Sequence, residues 1–428
     1  MAYAPCPHAQ TRWVSWSKSG VLCTALVSGF LFSHSAKAET DLVVEDLVAD
    51  VSQARVTSYV QTLQDFGTRY TFAQGNIDAR DWLFDFFLGL GLEVELHEFT
   101  YANQTFANVI ARIPGTVAPD EIVAISGHFD SVSQQSATNA PGADDDASAI
   151  AAVLESALLM SGQSFDRTIE FMCYNVEEQG RRGSQAIAVD YIAQGKNLVG
   201  VINADMIGYW PTGWDRDLDV AYEPVSEWLA DHVVSAANRY VGIPISKHLS
   251  GVCRDDHVSF TDRGLSAVTN MDCWEAHNGN QNGETTPHYH RTTDTIDTLN
   301  LPCMTQAIQV SVAALAELAG PNATTNAPDV AISAQDSGLH NRPNPFASMT
   351  EIRFEVVDSS EPFALRIYDA RGRHVRSLVD AVMNEGEGLV RWDGRDSTGG
   401  RLPDGVYFCR LESRNGVVED SQRVILLR

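Results

Sequence analysis

The chain has 428 residues, 44% of them hydrophobic, and carries 30 Lys and Arg against 56 Asp and Glu, a formal net charge of −26. That length predicts two or three domains, and that composition a packed core rather than a disordered polymer. The negative balance makes nucleic acid and anionic membrane surfaces poor partners and favours solubility and basic substrates.

Residues 1–38 read as an export signal. Arg12 and Lys18 precede an apolar stretch from Val21 to Phe32, and Ala36-Lys37-Ala38 forms a small-x-small cleavage site. The stretch is too short to span a bilayer comfortably, and no later segment reads as a membrane crossing. Cys6 and Cys23 would leave with the signal. Of the remaining Cys173, Cys253, Cys273, Cys303 and Cys409, the expected disulfide is Cys253 with Cys273, and Cys173, in an apolar run, reads as a buried thiol.

Val51 to Phe66 has helical apolar spacing, and Asn76 is expected to cap a second helix running to Leu90 and stopped by Gly91. Strands follow at Leu92 to Tyr101, Asn108 to Ile113 and Glu121 to Ser126. After the acidic run Asp144-Asp145-Asp146 comes a small-residue helix to Met160. Then come a strand over Thr168 to Val176, a helix over Ser184 to Ala193, a strand over Leu198 to Ile207 and a helix over Glu223 to Tyr240. A short strand at Ala267 to Met271 and a closing helix at Gln306 to Ala319 complete the unit. This alternation predicts an α/β sandwich with a mixed, largely parallel sheet between helices. Residues 321–341, rich in Asn, Thr, Ala and Pro, read as a linker. Beyond it, short alternating runs at 352–356, 364–368, 388–392, 405–411 and 423–426, separated by Asp/Gly turns, predict a small all-β sandwich. The organisation expected is thus a signal at 1–38, a catalytic domain at 39–320, the linker at 321–341 and the β domain at 342–428.

In such sheets ligands bind at the carboxyl ends of strands. His128, Asp130, Glu177, Glu178 and Asp205 all fall there. His128 and Asp130, two apart at a strand end, share one face, and Asp130 is placed to take the second ring N–H of His128. Asp205 sits inside an apolar strand, where a carboxylate must be paired or metal-bound. Three consecutive carboxylates before a buried helix repel one another unless a cation lies among them. With His290 on a late loop, the set offers two imidazoles and three or four carboxylates. Such a donor set suits zinc, or less well manganese or cobalt, and is too large for one tetrahedral ion. Two ions sharing a bridging carboxylate would serve hydrolysis.

These segments together resemble a known family. His128-x-Asp130, Pro141-Gly142-Ala143-Asp144-Asp145-Asp146-Ala147-Ser148, Glu177-Glu178-x-Gly180-x-x-Gly183-Ser184, Asp205-Met206 and His290-x-Thr292-x-Asp294-Thr295 look like the co-catalytic zinc aminopeptidases of peptidase family M28. The resemblance runs from about Val51 to Ala319. It implies two Zn²⁺ per chain bridged by Asp145, with His128 and Asp205 completing one site and Glu178 and His290 the other. It also implies Glu177 as general base, peptide substrates cleaved at their amino ends, and a cis peptide between Asp145 and Asp146. The Thr-x-Asp-Thr tail selects His290 over His288. Departures are Ala149, where many relatives have Gly, and Asp255, in place of Ser in the family's Ser-Asp-His segment. Asp256 and His257 then read as structural or as supports behind the ligands, and Trp210, Trp214 and Trp274 as core or as pocket lining. A carboxypeptidase or dipeptidase, a single-zinc glutaminyl-cyclase-like enzyme, and a surface adhesion protein with a vestigial peptidase domain are the alternatives.

Pro343-Asn344-Pro345-Phe346, Ile367-Tyr368-Asp369-x-x-Gly372-Arg373, Trp392-Asp393-Gly394-Arg395-Asp396 and Gly405-Val406-Tyr407-Phe408 resemble FlgD-like immunoglobulin-type modules and the related sorting domains of secreted bacterial proteins. That likeness implies a bacterial protein, secreted, surface-bound or periplasmic, whose last domain is read by a secretion or attachment system.

Overall fold

The computed structural model describes residues 42–210, 217–251, 254–272 and 286–321. Beyond these it describes 339–342, 346, 349–356, 363–369, 373–381, 386–403, 405–413 and 418–426. The expected signal, the pair Cys253 and Cys273, and linker residues 322–338 lie outside them.

Three helices and two strands open the fold: α1 (42–49), α2 (Gln53–Gln64), α3 (Gln74–Gly89), β1 (Glu93–Tyr101) and β2 (Gln104–Ile113). Next come β3 (Ala118–His128), α4 (Ala147–Met160), β4 (Arg167–Tyr174), α5 (Arg182–Gln194), β5 (Asn197–Ala204) and β6 (Leu218–Tyr222). The domain closes with α6 (Glu227–Tyr240), β7 (Ile245–Leu249), α7 (His257–Thr261), β8 (Ala267–Met271) and α8 (Leu301–Ala319). The strands form one eight-stranded sheet in the order β1-β2-β4-β3-β5-β8-β6-β7. Its centre, β4-β3-β5-β8, is parallel, as is β6 with β7, while β1, β2 and the β8–β6 seam run antiparallel. The mixed, largely parallel sandwich expected from the alternation is therefore observed.

Period-2 alternation splits the core between two faces. Val109, Val123, Ile125, Ile169, Phe171 and Ile202 meet the helices α1–α4, α6 and α8. Ile110, Ile122, Ala124, Met172 and Val201 meet α5 and Phe260 of α7. The central helix α4 is nearly all small or aliphatic and is buried from Ala147 through Ala157. Helix α8 is long and apolar enough to cross a membrane, a property the sequence reading did not credit to it. Two-thirds of its apolar window (67%) is buried inside the fold, however, where Ala307, Ile308, Val312 and Leu315 join the core.

Some local details differ from expectation. Helix α3 begins at Gln74 without a side-chain cap. Asn76 instead turns inward, donating to Arg69 O and Asn175 Oδ1 (both 2.9 Å). Strands β6 and β7 are five residues each, and Ser246-Lys247-His248 in β7 gives no apolar alternation to detect. Cys173 is a buried free thiol as expected, and Cys303 and Cys409 are buried as well.

The C-terminal domain comprises two antiparallel sheets. One contains β9 (His340–Arg342), β10 (Thr350–Val356) and β13 (Gly386–Trp392). The other contains β11 (Phe363–Asp369), β12 (His374–Ala381), β14 (Gly405–Ser413) and β15 (Val418–Leu426). Trp392, fully buried, packs against Phe346 and Tyr407 at its centre. Strand β9 begins inside the segment read as linker, and β12, whose Val375, Leu378 and Val379 pack on the core without regular alternation, was not anticipated.

Candidate metal centre

Loops at the carboxyl edge of the sheet bring together the residues singled out in the sequence. His128 ends β3, Glu177 and Glu178 follow β4, Asp205 follows β5, and His290 arrives on the loop before α8. The acidic triplet precedes α4, and its three carboxylates do different work. Asp146 caps α4 and joins three segments, accepting from Ala149 N (3.3 Å), Met206 N (3.2 Å) and His128 N (3.0 Å). Asp144 accepts from Gly208 N at 2.8 Å. Asp145 alone faces the centre, and the peptide bond joining it to Asp146 is cis.

Asp145 stands between the two imidazoles. Its Oδ1 lies 3.2 Å from Nε2 of His128, and its Oδ2, which takes no hydrogen bond, lies 3.3 Å from Nε2 of His290. Glu178 Oε2 is 2.9 Å from the same His290 nitrogen, and Asp205 Oδ1 is 3.9 Å from Nε2 of His128. Two triads result, His128–Asp145–Asp205 and Asp145–Glu178–His290. Within each, the donor atoms lie within 4.8 Å of one another.

The surroundings orient these donors. Val132 N holds Glu178 Oε1 at 3.1 Å, leaving Oε2 for the centre. Nδ1 of His128 meets the backbone carbonyl of Asp130 at 3.1 Å, closer than the Asp130 carboxylate at 3.6 Å. This corrects the expected carboxylate partner, but the effect is the same: Nδ1 carries the proton and Nε2 presents its lone pair. The Asp130 carboxylate is engaged elsewhere. It receives Glu177 N (2.9 Å), Glu178 N (3.2 Å) and the Thr71 hydroxyl (3.3 Å), which fixes both glutamates from behind.

The charges suit a cation. Burial, then Asp255 and Asp146, raise the Asp205 carboxyl well above its usual range, and burial and Asp145 carry Glu178 to about 7. Glu177 is raised chiefly by burial, and Asp256, Glu178 and Asp130 add to it against the opposing pull of His128. Asp145 is also buried, but the two imidazoles outweigh burial and hold it below the ordinary range. Crowded acids raised in this way, a buried carboxylate oxygen without a donor, and N/O donors on opposite sides of Asp145 fit a pair of divalent ions of the zinc type.

Other candidates fall outside the cluster. Nδ1 of His288 meets the Thr293 hydroxyl at 3.0 Å. His257 lies buried between the hydroxyls of Ser250 and Thr269, each at 2.7 Å. Asp256 accepts the Ser184 hydroxyl behind Glu177. Trp210 is a core residue donating to Ile207 O, while Trp214 and Trp274 lie outside the described residues. Three contributors carried no sequence signal of their role. Arg69, fully buried, donates to the carbonyls of Leu63, Phe129, Pro141 and Gly142 and so ties the His128 loop to the acidic loop. Asp294, quoted only as part of a motif, receives the backbone of the triplet. Tyr289 stacks on His290, with ring centroids 3.7 Å apart.

Comparison with known proteins finds two family models that match the chain. The family model described as Peptidase family M28 matches residues 108–315, and that of the FlgD Ig-like domain matches residues 344–416. The chain is 24% identical over 300 residues to a probable aminopeptidase (YDR415C) of Saccharomyces cerevisiae, covering 67% of this chain and 78% of that protein. It is 29% identical over 292 residues to leucine aminopeptidase 1 of Penicillium rubens, covering 64% and 73%. The LapA aminopeptidase of Legionella pneumophila superposes with a TM-score of 0.57 at 22% identity, over 65% of this chain and 72% of that one, a likeness of fold.

Proposed function

We propose, from the premise that residues 108–315 belong to peptidase family M28, that this protein is an exported aminopeptidase working with two zinc ions. The observation that carries the reading is Asp145, whose two carboxylate oxygens face two different imidazoles, each joined by a further carboxylate. His128, Asp145 and Asp205 would hold one ion, and Asp145, Glu178 and His290 the other. Bound there, the pair would supply Lewis acidity to the scissile carbonyl and to water. The chain's own residues do the rest. Glu177, fixed through its backbone by Asp130, takes the proton of the attacking water and returns it to the leaving amine. Burial raises its carboxyl, which brings its proton affinity closer to that of the groups it serves.

Relatives named as leucine aminopeptidases support leucine derivatives as first substrates. The purified protein should release leucine from leucinamide and from leucyl peptides, lose this on chelation, and contain two zinc ions per chain. Glu177→Ala should keep both ions and lose turnover by about 10²–10⁴. One ion per chain, or metal-replete protein inactive on free amino ends, overturns the reading, and attack on an amino-blocked peptide points to a carboxypeptidase instead. The C-terminal β domain serves as an export address or attachment module. Removing residues 342–428 should leave kcat on leucinamide unchanged and alter where the protein is recovered.

A further inference from the structure

The rim beside the proposed catalytic glutamates is aromatic. Phe72, 44% exposed, follows Thr71, whose hydroxyl binds the same Asp130 carboxylate that receives Glu177 N and Glu178 N. Its ring packs edge-on against Tyr70 (5.6 Å) and Phe106 (5.7 Å) and lies at a shallow 31° tilt to Tyr101 (6.3 Å). Tyr101 and Phe106 belong to the tip of the β1–β2 hairpin. Strand β2 pairs with β4 through Val109 and Cys173, so this tip projects past the carboxyl end of β4, on the side where the centre lies. Asn175, two residues before Glu177, bonds Ala107 O and Asn76 and locks the tip and the Phe72 loop to the glutamate segment. Over the Tyr101 ring lies the guanidinium of Arg182, 5.6 Å from the ring centroid and five residues after Glu177.

We infer that Phe72 and Tyr101, backed by Phe106 and flanked by Arg182, form the surface on which a peptide substrate lays its residues beyond the scissile bond, selecting an apolar or aromatic side chain there. The inference rests on the aminopeptidase reading and adds a substrate class to it. An enzyme that takes a free amino end must let the rest of the chain leave over its rim. Here that rim offers a half-exposed ring on the residue next to Thr71, whose hydroxyl bonds the base's own support, where a protein surface would ordinarily be polar. A cation beside Tyr101, on a chain so acidic overall, also gives a short peptide's terminal carboxylate a favourable end point.

The test compares kcat/KM on leucinamide, which has no residue beyond the bond, with Leu-Phe-Gly and Leu-Ser-Gly. Wild type should prefer Leu-Phe-Gly over Leu-Ser-Gly by about tenfold, the effect of partly burying one phenyl ring. Phe72→Ala should erase that preference through KM while leaving leucinamide turnover unchanged, which also reports that the variant is folded, and Phe72→Leu should restore part of it. Arg182→Gln should weaken tripeptides relative to leucinamide by a few-fold. Equal losses on all three substrates would make Phe72 a structural residue and overturn the inference, as would a wild type without the aromatic preference. A wild type that cleaves none of the three overturns the peptidase reading itself.

Discussion

Asp294 receives the backbone N–H of Asp144 on one carboxylate oxygen (2.9 Å) and that of Asp145 on the other (3.1 Å), across 149 residues of chain. One side chain from the His290 loop thus sets the path of the acidic triplet, and His290 and Asp145 are positioned by the same bond pair. Asp294→Ala removes both acceptors and leaves two buried N–H groups without partners. Metal affinity, read by competition with a chromogenic chelator, is expected to fall about 10–100-fold, with kcat falling in parallel at subsaturating metal and recovering with excess metal. Unchanged affinity would mean that Asp145 is held by other contacts.

Arg69 is expected to matter for stability more than any catalytic residue. Its fully buried guanidinium satisfies four carbonyls on three segments, and the negative field of Asp294, Asp146, Asp130 and Asp145 compensates its charge. Arg69→Met fits the space but leaves those carbonyls unpaired, at a cost of about 3–5 kcal/mol. Arg69→Lys keeps the charge but not the planar fork and should recover less than half of the loss. Urea denaturation of the metal-free proteins measures both.

Much of this centre was legible because its chemistry is unusual in a sequence. Asp205 at the end of an apolar run, and three acids abutting the small-residue helix α4, conflict with burial unless an ion resolves them, so the conflict itself marked the candidate ligands. Arg69 and Asp294 escaped for the opposite reason. Their partners are backbone atoms, which leave no trace in residue identity. The same holds for elements. Strands β3, β4 and β5, apolar on both faces, were readable, whereas β7 and β12 sit at sheet edges, and their few apolar residues (Ile245; Val375, Leu378 and Val379) are interrupted by polar ones and give no clean alternation. The Asn76 cap failed because its amide found a buried partner in Asn175 that no local rule anticipates.

His257 should give the fold an acid limb. Buried between two hydroxyls, it is depressed to about 3 from an ordinary value near 6.5, first by burial and then by Arg181 and Arg254. The unfolded chain therefore takes up a proton near pH 6.5 that the folded one refuses until about pH 3. Its contribution is complete above the unfolded value and is lost as pH falls through the window between the two. Each pH unit inside that window costs about 1.4 kcal/mol. His257→Asn should be less stable than wild type at pH 7.5, and the gap should narrow by about 1–2 kcal/mol at pH 5.5. A constant gap in urea titrations at the two pH values would remove His257 as the source.

Gly127 and Ala149 bring α4 tight against β3, immediately before His128, one of the proposed metal ligands. A Cβ at Gly127 would stand 2.8 Å from that of Ala149 and 3.1 Å from Asp146 Oδ2, the atom that receives His128 N. Gly127→Ala therefore forces α4 away from β3 just where Asp145 and His128 must stay in register. Overpacking of this kind costs about 1–3 kcal/mol, and metal affinity should fall with it. The methyl group of Ala149 on the other side of this contact makes the prediction reversible. In Gly127→Ala/Ala149→Gly the methyl group has only changed sides of the contact, so stability and metal affinity should both return most of the way to wild type. Ala149→Gly alone should show little beyond the helix-propensity cost of about 1 kcal/mol. Failure of the double variant to recover metal binding would mean that the clash with Asp146 Oδ2, rather than with Ala149, controls the register of His128.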